Sequence, residues 1–158
     1  MDRPRRAAAC GRVIWRRRLG TATVALATVA ALILLLRGTT PAVRAPAPAL
    51  PSTVLQPPSR TLASLRGRPA LVHFWASWCG PCNQEAPQIA LAADELRGRA
   101  ALVGVDFSDS ASAARAFLRR HKWSFTILSD PDGEAGNGYG LAGLPATFIL
   151  DGRGRIVA

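Results

Sequence analysis

Apolar runs of strand length alternate with helical stretches along residues 61–158. Four runs, rich in β-branched and aromatic residues, predict buried strands at residues 70–75, 101–107, 125–128 and 146–150. Helices are predicted between them at residues 79–96 and 111–121, and Asp151-Gly152-Arg153-Gly154 predicts a tight turn into a final hairpin strand. This alternation indicates an α/β domain with a mixed central sheet.

A longer apolar run lies near the N-terminus. Residues 19–36 carry no charge over 18 positions, and a helix of about 17–25 apolar residues spans a bilayer core. Seven arginines precede the run and two follow it, which predicts a cytoplasmic N-terminus. We therefore expect a single-pass signal anchor in the cell membrane, with the C-terminal domain on the periplasmic side. A cleaved signal peptide stays open as the alternative, and it also exports the domain.

A segment rich in proline and alanine follows the apolar run. Residues 41–60 hold six of the twelve prolines and show no strong apolar periodicity. Such a composition favours an extended, semi-rigid spacer. The chain is thus divided into a basic N-terminus (1–18), a transmembrane anchor (19–36), a linker (37–60) and a folded domain (61–158).

The net charge of +10 is unevenly distributed. Residues 1–60 carry ten arginines and one acid, whereas residues 61–158 carry ten basic and nine acidic side chains. The folded domain is therefore close to neutral, which excludes a basic nucleic-acid footprint on it. We expect contact with the membrane through the N-terminal helix and none with nucleic acid.

The candidate chemistry lies in Cys79-Gly80-Pro81-Cys82, directly after a predicted strand and at the start of a predicted helix. A helix N-terminus stabilises a thiolate, which makes Cys79 the candidate nucleophile. Cys82, one turn further in, is the candidate resolving thiol. A structural zinc site needs four ligands, and the rest of the chain offers only Cys10, His73 and His121, so no metal site is predicted.

Two motifs in the right order and spacing resemble those of the thioredoxin superfamily, and in particular its membrane-tethered TlpA/ResA/DsbE-like branch. Residues 74–82 are similar to the family's active-site strand and loop. Residues 143–148, Gly-Leu-Pro-Ala-Thr-Phe, are similar to the cis-proline loop that lies opposite the cysteines. The resemblance covers about residues 61–157 and implies a three-layer thioredoxin-like fold.

The resemblance also implies roles for individual residues. Glu85 matches an acidic residue three positions beyond the second cysteine and is expected to exchange a proton with Cys82. An extended substrate is expected to contact Trp78, Gly80, Pro81, Leu144 and Pro145, and to pair with the backbone of Leu144 as in strand addition. His73 stands where thioredoxins carry a buried acid, and both a proton relay and a purely structural role stay open for it.

The end of the chain also departs from the family pattern. The family closes its sheet with a full last strand and a final helix, whereas this sequence stops at Ala158. We expect a domain that is C-terminally incomplete, lacks the usual C-terminal helix and leaves one apolar face of its sheet uncovered.

These features predict an exported, membrane-tethered thiol–disulfide oxidoreductase that reduces protein disulfides through its cysteine pair. No cofactor is expected beyond the redox-active disulfide Cys79–Cys82, and a membrane thiol–disulfide protein is the expected electron donor. The resemblance implies the haem-attachment cysteines of apocytochrome c as substrates, and so a part in cytochrome c biogenesis. A periplasmic disulfide oxidant, a thiol peroxidase and a tethered metal-binding module stay open as alternatives.

Overall fold

The computed structural model describes residues 45–158. The strands in this part are β1 (Thr53–Gln56), β2 (Ala70–Trp75), β3 (Ala101–Phe107), β4 (Thr126–Asp130) and β5 (Ala146–Leu150). The helices are α1 (Gly80–Glu95), α2 (Ala111–His121), the short α3 (Glu134–Gly138) and a 3-10 helix at Ala63–Leu65. The four strands and two long helices predicted from the sequence are confirmed, and β4 extends two residues further than expected.

The predicted N-terminal segment and transmembrane anchor lie outside the described residues. Within residues 45–158, none of the helices has the length and apolar character that crossing a bilayer requires.

The strands form one mixed sheet in the order β1-β4-β3-β2-β5. Strands β2, β3 and β4 are parallel, while β1 is antiparallel to β4 and β5 is antiparallel to β2. In this register Trp75 at the end of β2 pairs with Asp106 near the end of β3. The segments that follow these two strands therefore leave the sheet side by side, at the edge where ligands of α/β proteins usually bind.

The sequence pattern does not predict β1, which lies inside the segment interpreted as a linker. Thr53 pairs with Ser129 of β4, and Pro46 forms an isolated bridge with Arg155. Ala47 and Leu50 pack against the apolar core. A short edge strand tolerates neighbouring prolines, so the proline-rich composition hides it. From residue 45 onward, the predicted linker is part of the folded domain.

The two faces of the sheet bury different side chains. One face, called the apolar face below, is built around Val72, Phe74, Val103 and Val105, none of which has exposed surface. The other, called the helix face, packs Trp75 and Ile127 against side chains of α1 and α2, namely Cys82, Ala86, Ala114 and Phe117. Successive strand residues point to opposite faces, so His73 and Asp106 lie on the helix face.

Among residues 45–158, the expectation of one uncovered face is wrong for the apolar face and holds in part for the helix face, where Ile149 on the edge strand β5 is 39 % exposed. The apolar face is covered by side chains of short segments: Leu50, Leu62, Leu65, Tyr139, Leu141 and Ile156. These come from the N-terminal part of the domain, the 3-10 helix, the end of α3 and the final hairpin. Short irregular segments bury apolar surface as a helix would, and they form the third layer.

The helix boundaries follow from local chemistry. Cys79 is the N-cap of α1, and Pro81 stands in the first turn, where a missing N–H costs nothing. Gly98 follows the helix with a φ of 79°, in the left-handed region that favours glycine. Ser110 caps α2, where its hydroxyl accepts a hydrogen bond from Ala113 N at 3.3 Å.

Candidate active site

The cysteine pair stands where β2 passes into α1. Cys79 and Cys82 form a disulfide across the first turn of the helix. The sulfur of Cys79 accepts a hydrogen bond from Cys82 N at 3.1 Å. Both residues are almost completely buried, with 4 % and 1 % of their surface exposed. The first cysteine therefore occupies the predicted position, at the free N–H groups of a helix N-terminus.

A groove of about 440 Å³ opens beside Cys79. Five of the predicted site residues line it: Trp78, Cys79, Gly80, Pro81 and Leu144. Phe107 and Leu141 complete its apolar wall, and no charged side chain lines it. Trp78 is 60 % exposed, although large apolar side chains are usually covered. The groove is suited to an extended, apolar chain segment that places a sulfur next to Cys79.

The loop before β5 lies across this groove from the cysteines. The peptide bond between Leu144 and Pro145 is cis, as the resemblance implied. Leu144 lines the groove and packs against the cluster that contains both cysteines. Pro145 does not line the groove, and neither do Cys82 and Glu85. The roles expected of these three residues stay predictions.

Glu85 and His73 lie against each other below the cysteine pair. His73 Nε2 is 3.3 Å from Glu85 Oε1, and His73 Nδ1 is 2.9 Å from the hydroxyl of Thr147 on β5. Burial lowers the pKa of His73 to about 4 and raises the pKa of Glu85. The imidazole is therefore neutral at neutral pH, and the contact is not an ion pair there. When the Thr147 hydroxyl donates to Nδ1, the imidazole proton is on Nε2, which is close to Glu85 but makes no aligned hydrogen bond with it.

The buried acid of the site is Asp106, which the sequence analysis does not single out. It has no exposed surface, and no N–H or hydroxyl group donates to either carboxyl oxygen, although the carboxyl group of Asp109 is close enough to share a proton with it. Burial above all, and then the carboxyl groups of Asp109 and Asp130, raise the pKa of Asp106 to about 8. The signal was present in the sequence, since an acid interrupts the apolar run Val103-Gly104-Val105-Asp106-Phe107.

Two further polar residues hold the segment between β2 and α1. Asn83 Nδ2 donates to the carbonyl oxygens of Ser77 and Cys79 at 3.1 Å and 2.9 Å. Asp109 Oδ2 accepts from Ser77 N at 2.7 Å. Both residues look like ordinary helix and turn residues in the sequence, so only the structure reveals them. Residues 45–158 contain no group of three or more potential metal ligands.

Comparison with known proteins identifies this arrangement. The sequence pattern of the AhpC/TSA family matches residues 43–158. The chain belongs to the AhpC/TSA family. The DsbE homolog of Paracoccus denitrificans, a thiol:disulfide interchange protein, is 44 % identical over 88 residues, or 55 % of this chain and 47 % of that protein. The thiol:disulfide interchange protein HelX of Rhodobacter capsulatus is 42 % identical over 100 residues, or 61 % of this chain and 54 % of that protein.

The fold has a matching counterpart among crystal structures. A secreted Mycobacterium tuberculosis disulfide oxidoreductase, homologous to Escherichia coli DsbE, aligns with a TM-score of 0.61 and 30 % identity over 68 % of this chain and 79 % of that one. The predicted thioredoxin-like α/β fold and the resemblance to DsbE-like oxidoreductases are therefore confirmed. The chain spans about half the length of the two sequence relatives.

Proposed function

We propose that this chain is a thiol–disulfide oxidoreductase that reduces protein disulfides with Cys79 and Cys82. The position of Cys79 carries the proposal: it caps α1, accepts a hydrogen bond from Cys82 N and lines an apolar groove. Once the disulfide is reduced, free N–H groups at a helix N-terminus stabilise a thiolate there. The names of the relatives support the same chemistry.

The reaction passes through a mixed disulfide. The Cys79 thiolate attacks one sulfur of the substrate disulfide, forms a new S–S bond and releases the other substrate sulfur as a thiolate, which takes up a proton. Cys82 then loses its proton, and its thiolate attacks the sulfur of Cys79. The Cys79–Cys82 disulfide closes and the second substrate thiolate leaves. Two electrons have passed to the substrate, and an external dithiol must return them.

Glu85 is the proposed acceptor of the Cys82 proton. It follows Cys82 by three residues on α1, so both side chains lie on the same side of the helix. Burial raises its pKa, which makes its carboxylate a stronger base than an exposed one. The neutral His73 at 3.3 Å adds no positive charge that would hold the proton away.

The proposed setting is the periplasmic side of the cell membrane. The apolar run 19–36 with its preceding arginines supports a retained anchor, and a membrane thiol–disulfide protein would then supply the electrons. The Gly80-Pro81 dipeptide resembles that of thioredoxin, whose potential of about −270 mV favours reduction of substrates. The haem-attachment cysteines of apocytochrome c are the substrate that the resemblance suggests.

Trapping of mixed disulfides tests the assignment of the two thiols. The full chain with Cys82→Ser should accumulate mixed disulfides through Cys79 in the membrane fraction, because nothing resolves them. The matched variant Cys79→Ser should trap none. Mixed disulfides through Cys82 would reverse the roles, and an absence of trapping in both variants would contradict disulfide exchange. Recovery of the adducts in the soluble exported fraction would favour a cleaved signal peptide.

A further inference from the structure

The segment that carries Cys79 is tied to a second loop at two points. Residues 76–79 belong to neither β2 nor α1. Ser77 N donates to Asp109 Oδ2 at 2.7 Å, and Trp78 Nε1 donates to Ser108 O at 3.0 Å. Both acceptors lie between β3 and α2, where the register of the parallel strands brings the two loops together.

We propose that Asp109 is a positioning residue for disulfide exchange. Its carboxylate, together with the carbonyl of Ser108, fixes the Ser77–Trp78 segment, so that the sulfur of Cys79 stays at the N-terminus of α1 and the Trp78 ring stays along the groove. The inference rests on the proposed function and adds to it a residue outside the Cys-Gly-Pro-Cys motif.

The carboxylate of Asp109 is bound on both of its oxygens. Oδ2 accepts from Ser77 N, and Oδ1 accepts from Ser110 N at 2.7 Å, directly before α2. Hydrogen bonds to an ionised acceptor are stronger than neutral ones, and the side chain is half-buried, which reduces screening by water. One side chain thus joins the start of α2 to the active-site segment.

The loop that presents these acceptors is itself held in place. Ser108 has a φ of 48°, in the left-handed region that residues other than glycine seldom adopt. Its N–H donates to Asp130 O at 2.9 Å, which fastens the turn to the end of β4. The carbonyl that receives the Trp78 indole is therefore set by a defined backbone conformation. Without this hydrogen bond, a tryptophan side chain that is 60 % exposed would populate several rotamers.

Position matters here because the effect of a helix N-terminus falls off within one turn. Attack on a disulfide also needs the two sulfurs aligned at close range, and a small displacement of the attacking group slows a reaction strongly. Without the hydrogen bond to Asp109, the segment could move the sulfur of Cys79 away from the N-terminus of α1 and out of alignment with the substrate disulfide. Both cysteines would still be present, but a smaller fraction of the molecules would hold Cys79 in the position from which it can react.

Two substitutions at one position separate positioning from charge. Asp109→Asn removes the charge but keeps a side-chain oxygen that can accept from Ser77 N. Asp109→Ala removes both. The charge of Asp109 also has an effect of its own, because its carboxyl group raises the pKa of the neighbouring Asp106. Ser110→Ala is the matched control, because it removes the α2 cap and leaves the contacts of Ser77 and Trp78 in place.

The test uses the full chain and two readouts. The first is the rate of insulin reduction with dithiothreitol as electron donor. The second is the pH midpoint of Cys79 alkylation in the reduced chain, followed by mass spectrometry.

The three variants should differ in these readouts. Asp109→Ala should reduce insulin at least about tenfold more slowly than the wild type. Its alkylation midpoint should lie about half a pH unit above that of Asp109→Asn. Asp109→Asn should keep the wild-type rate within about threefold. Ser110→Ala should lower the melting temperature only.

The outcomes distinguish the inference from the function on which it rests. Equal rates and midpoints for Asp109→Ala and Asp109→Asn would overturn positioning, since charge alone would then explain the effect. The same losses in Ser110→Ala would overturn it too, because capping of α2 would be responsible. If the wild-type chain fails to reduce insulin, the proposed function fails, and the alkylation midpoints still decide whether Asp109 positions Cys79.

Discussion

The two faces of the central sheet are built from alternate residues of the same strands, yet they bury different chemistry. Val72 and Phe74 point to the apolar face, where the side chains around them are hydrocarbon apart from the hydroxyl of Tyr139. His73 lies between them in sequence and points to the helix face, which also buries Cys82 and Asp106, whose carboxyl oxygens receive no hydrogen bond from an N–H or hydroxyl group. The apolar face buries mainly hydrocarbon, together with the unpartnered hydroxyl of Tyr139. The helix face gives up stability to hold a histidine and an aspartate near a disulfide.

The difference has a consequence for the effect of pH on stability. Burial lowers the pKa of His73 from 6.5 to about 4, so the unfolded chain binds an extra proton between these values and stability falls as the pH drops through them. The pKa of Asp106 rises from 3.8 to about 8, so the native chain keeps an extra proton and stability falls as the pH rises between these values. These two contributions oppose each other from about pH 4 to 6.5, and of the two only that of Asp106 continues up to about pH 8.

The largest expected effect comes from breaking the apolar face. Phe74 is completely buried, and its ring centroid lies 5.1 Å from that of Tyr139 and 5.8 Å from that of Phe148. Phe74→Ala should lower the free energy of unfolding by about 3–5 kcal/mol. Denaturant titration measures the loss, with the smaller Phe74→Leu change as control. The alkylation midpoint of Cys79 in the folded fraction should not move, and a shift would contradict the separation of the two faces.

A smaller effect of opposite sign is expected on the helix face. At pH 8 the native chain must either keep a proton on the buried Asp106 or bury its charge, whereas the unfolded chain leaves it ionised in water. Asp106→Asn removes this cost and should raise the free energy of unfolding by about 1–3 kcal/mol at pH 8. The gain should become small near pH 4, close to the 3.8 at which the unfolded chain also takes up the proton. Denaturant titrations at pH 4, 6 and 8 measure it, and Asp132→Asn at the exposed turn before α3 serves as control. A gain independent of pH would mean that Asp106 does not titrate as its burial requires.

The comparison of the two faces also shows which parts of the structure can be predicted from the sequence. Strand and helix positions follow from apolar periodicity, and the place of Cys79 follows from a cysteine pair between a strand and a helix. Periodicity cannot reveal β1, because its four residues lie among prolines and acquire order only by pairing with β4. Periodicity does not reveal Asp109 either, because its partner Ser77 lies in another loop that only the register of β2 and β3 brings near. Asn83 looks like any polar residue of a helix, and its bonds to Ser77 and Cys79 leave no pattern in the sequence. The covering of the apolar face comes from segments too short to show a pattern.

The smallest expected effect concerns how the helix face satisfies a buried imidazole. The hydroxyl of Thr147 is 2.9 Å from His73 Nδ1, whereas Nε2 lies 3.3 Å from Glu85 without hydrogen-bond alignment. Thr147→Val keeps the shape and the β-branched side chain but leaves Nδ1 without this partner, which should cost about 1 kcal/mol. Thr147→Ser keeps the hydroxyl and should stay closer to wild type.

A double-mutant cycle with His73→Phe isolates this hydrogen bond. In the His73→Phe background, Thr147→Val should cost nothing, because no buried nitrogen is left to satisfy. Denaturant titration of the four chains at pH 7, where the imidazole is neutral, gives the coupling energy. A coupling near zero would mean that the hydroxyl does not bind His73. On the apolar face, the neighbours of His73 in β2 are Val72 and Phe74, and a hydroxyl placed opposite them on β5 would find no polar partner. The His73–Thr147 pair therefore measures the free energy that a polar group on the helix face gains from its partner.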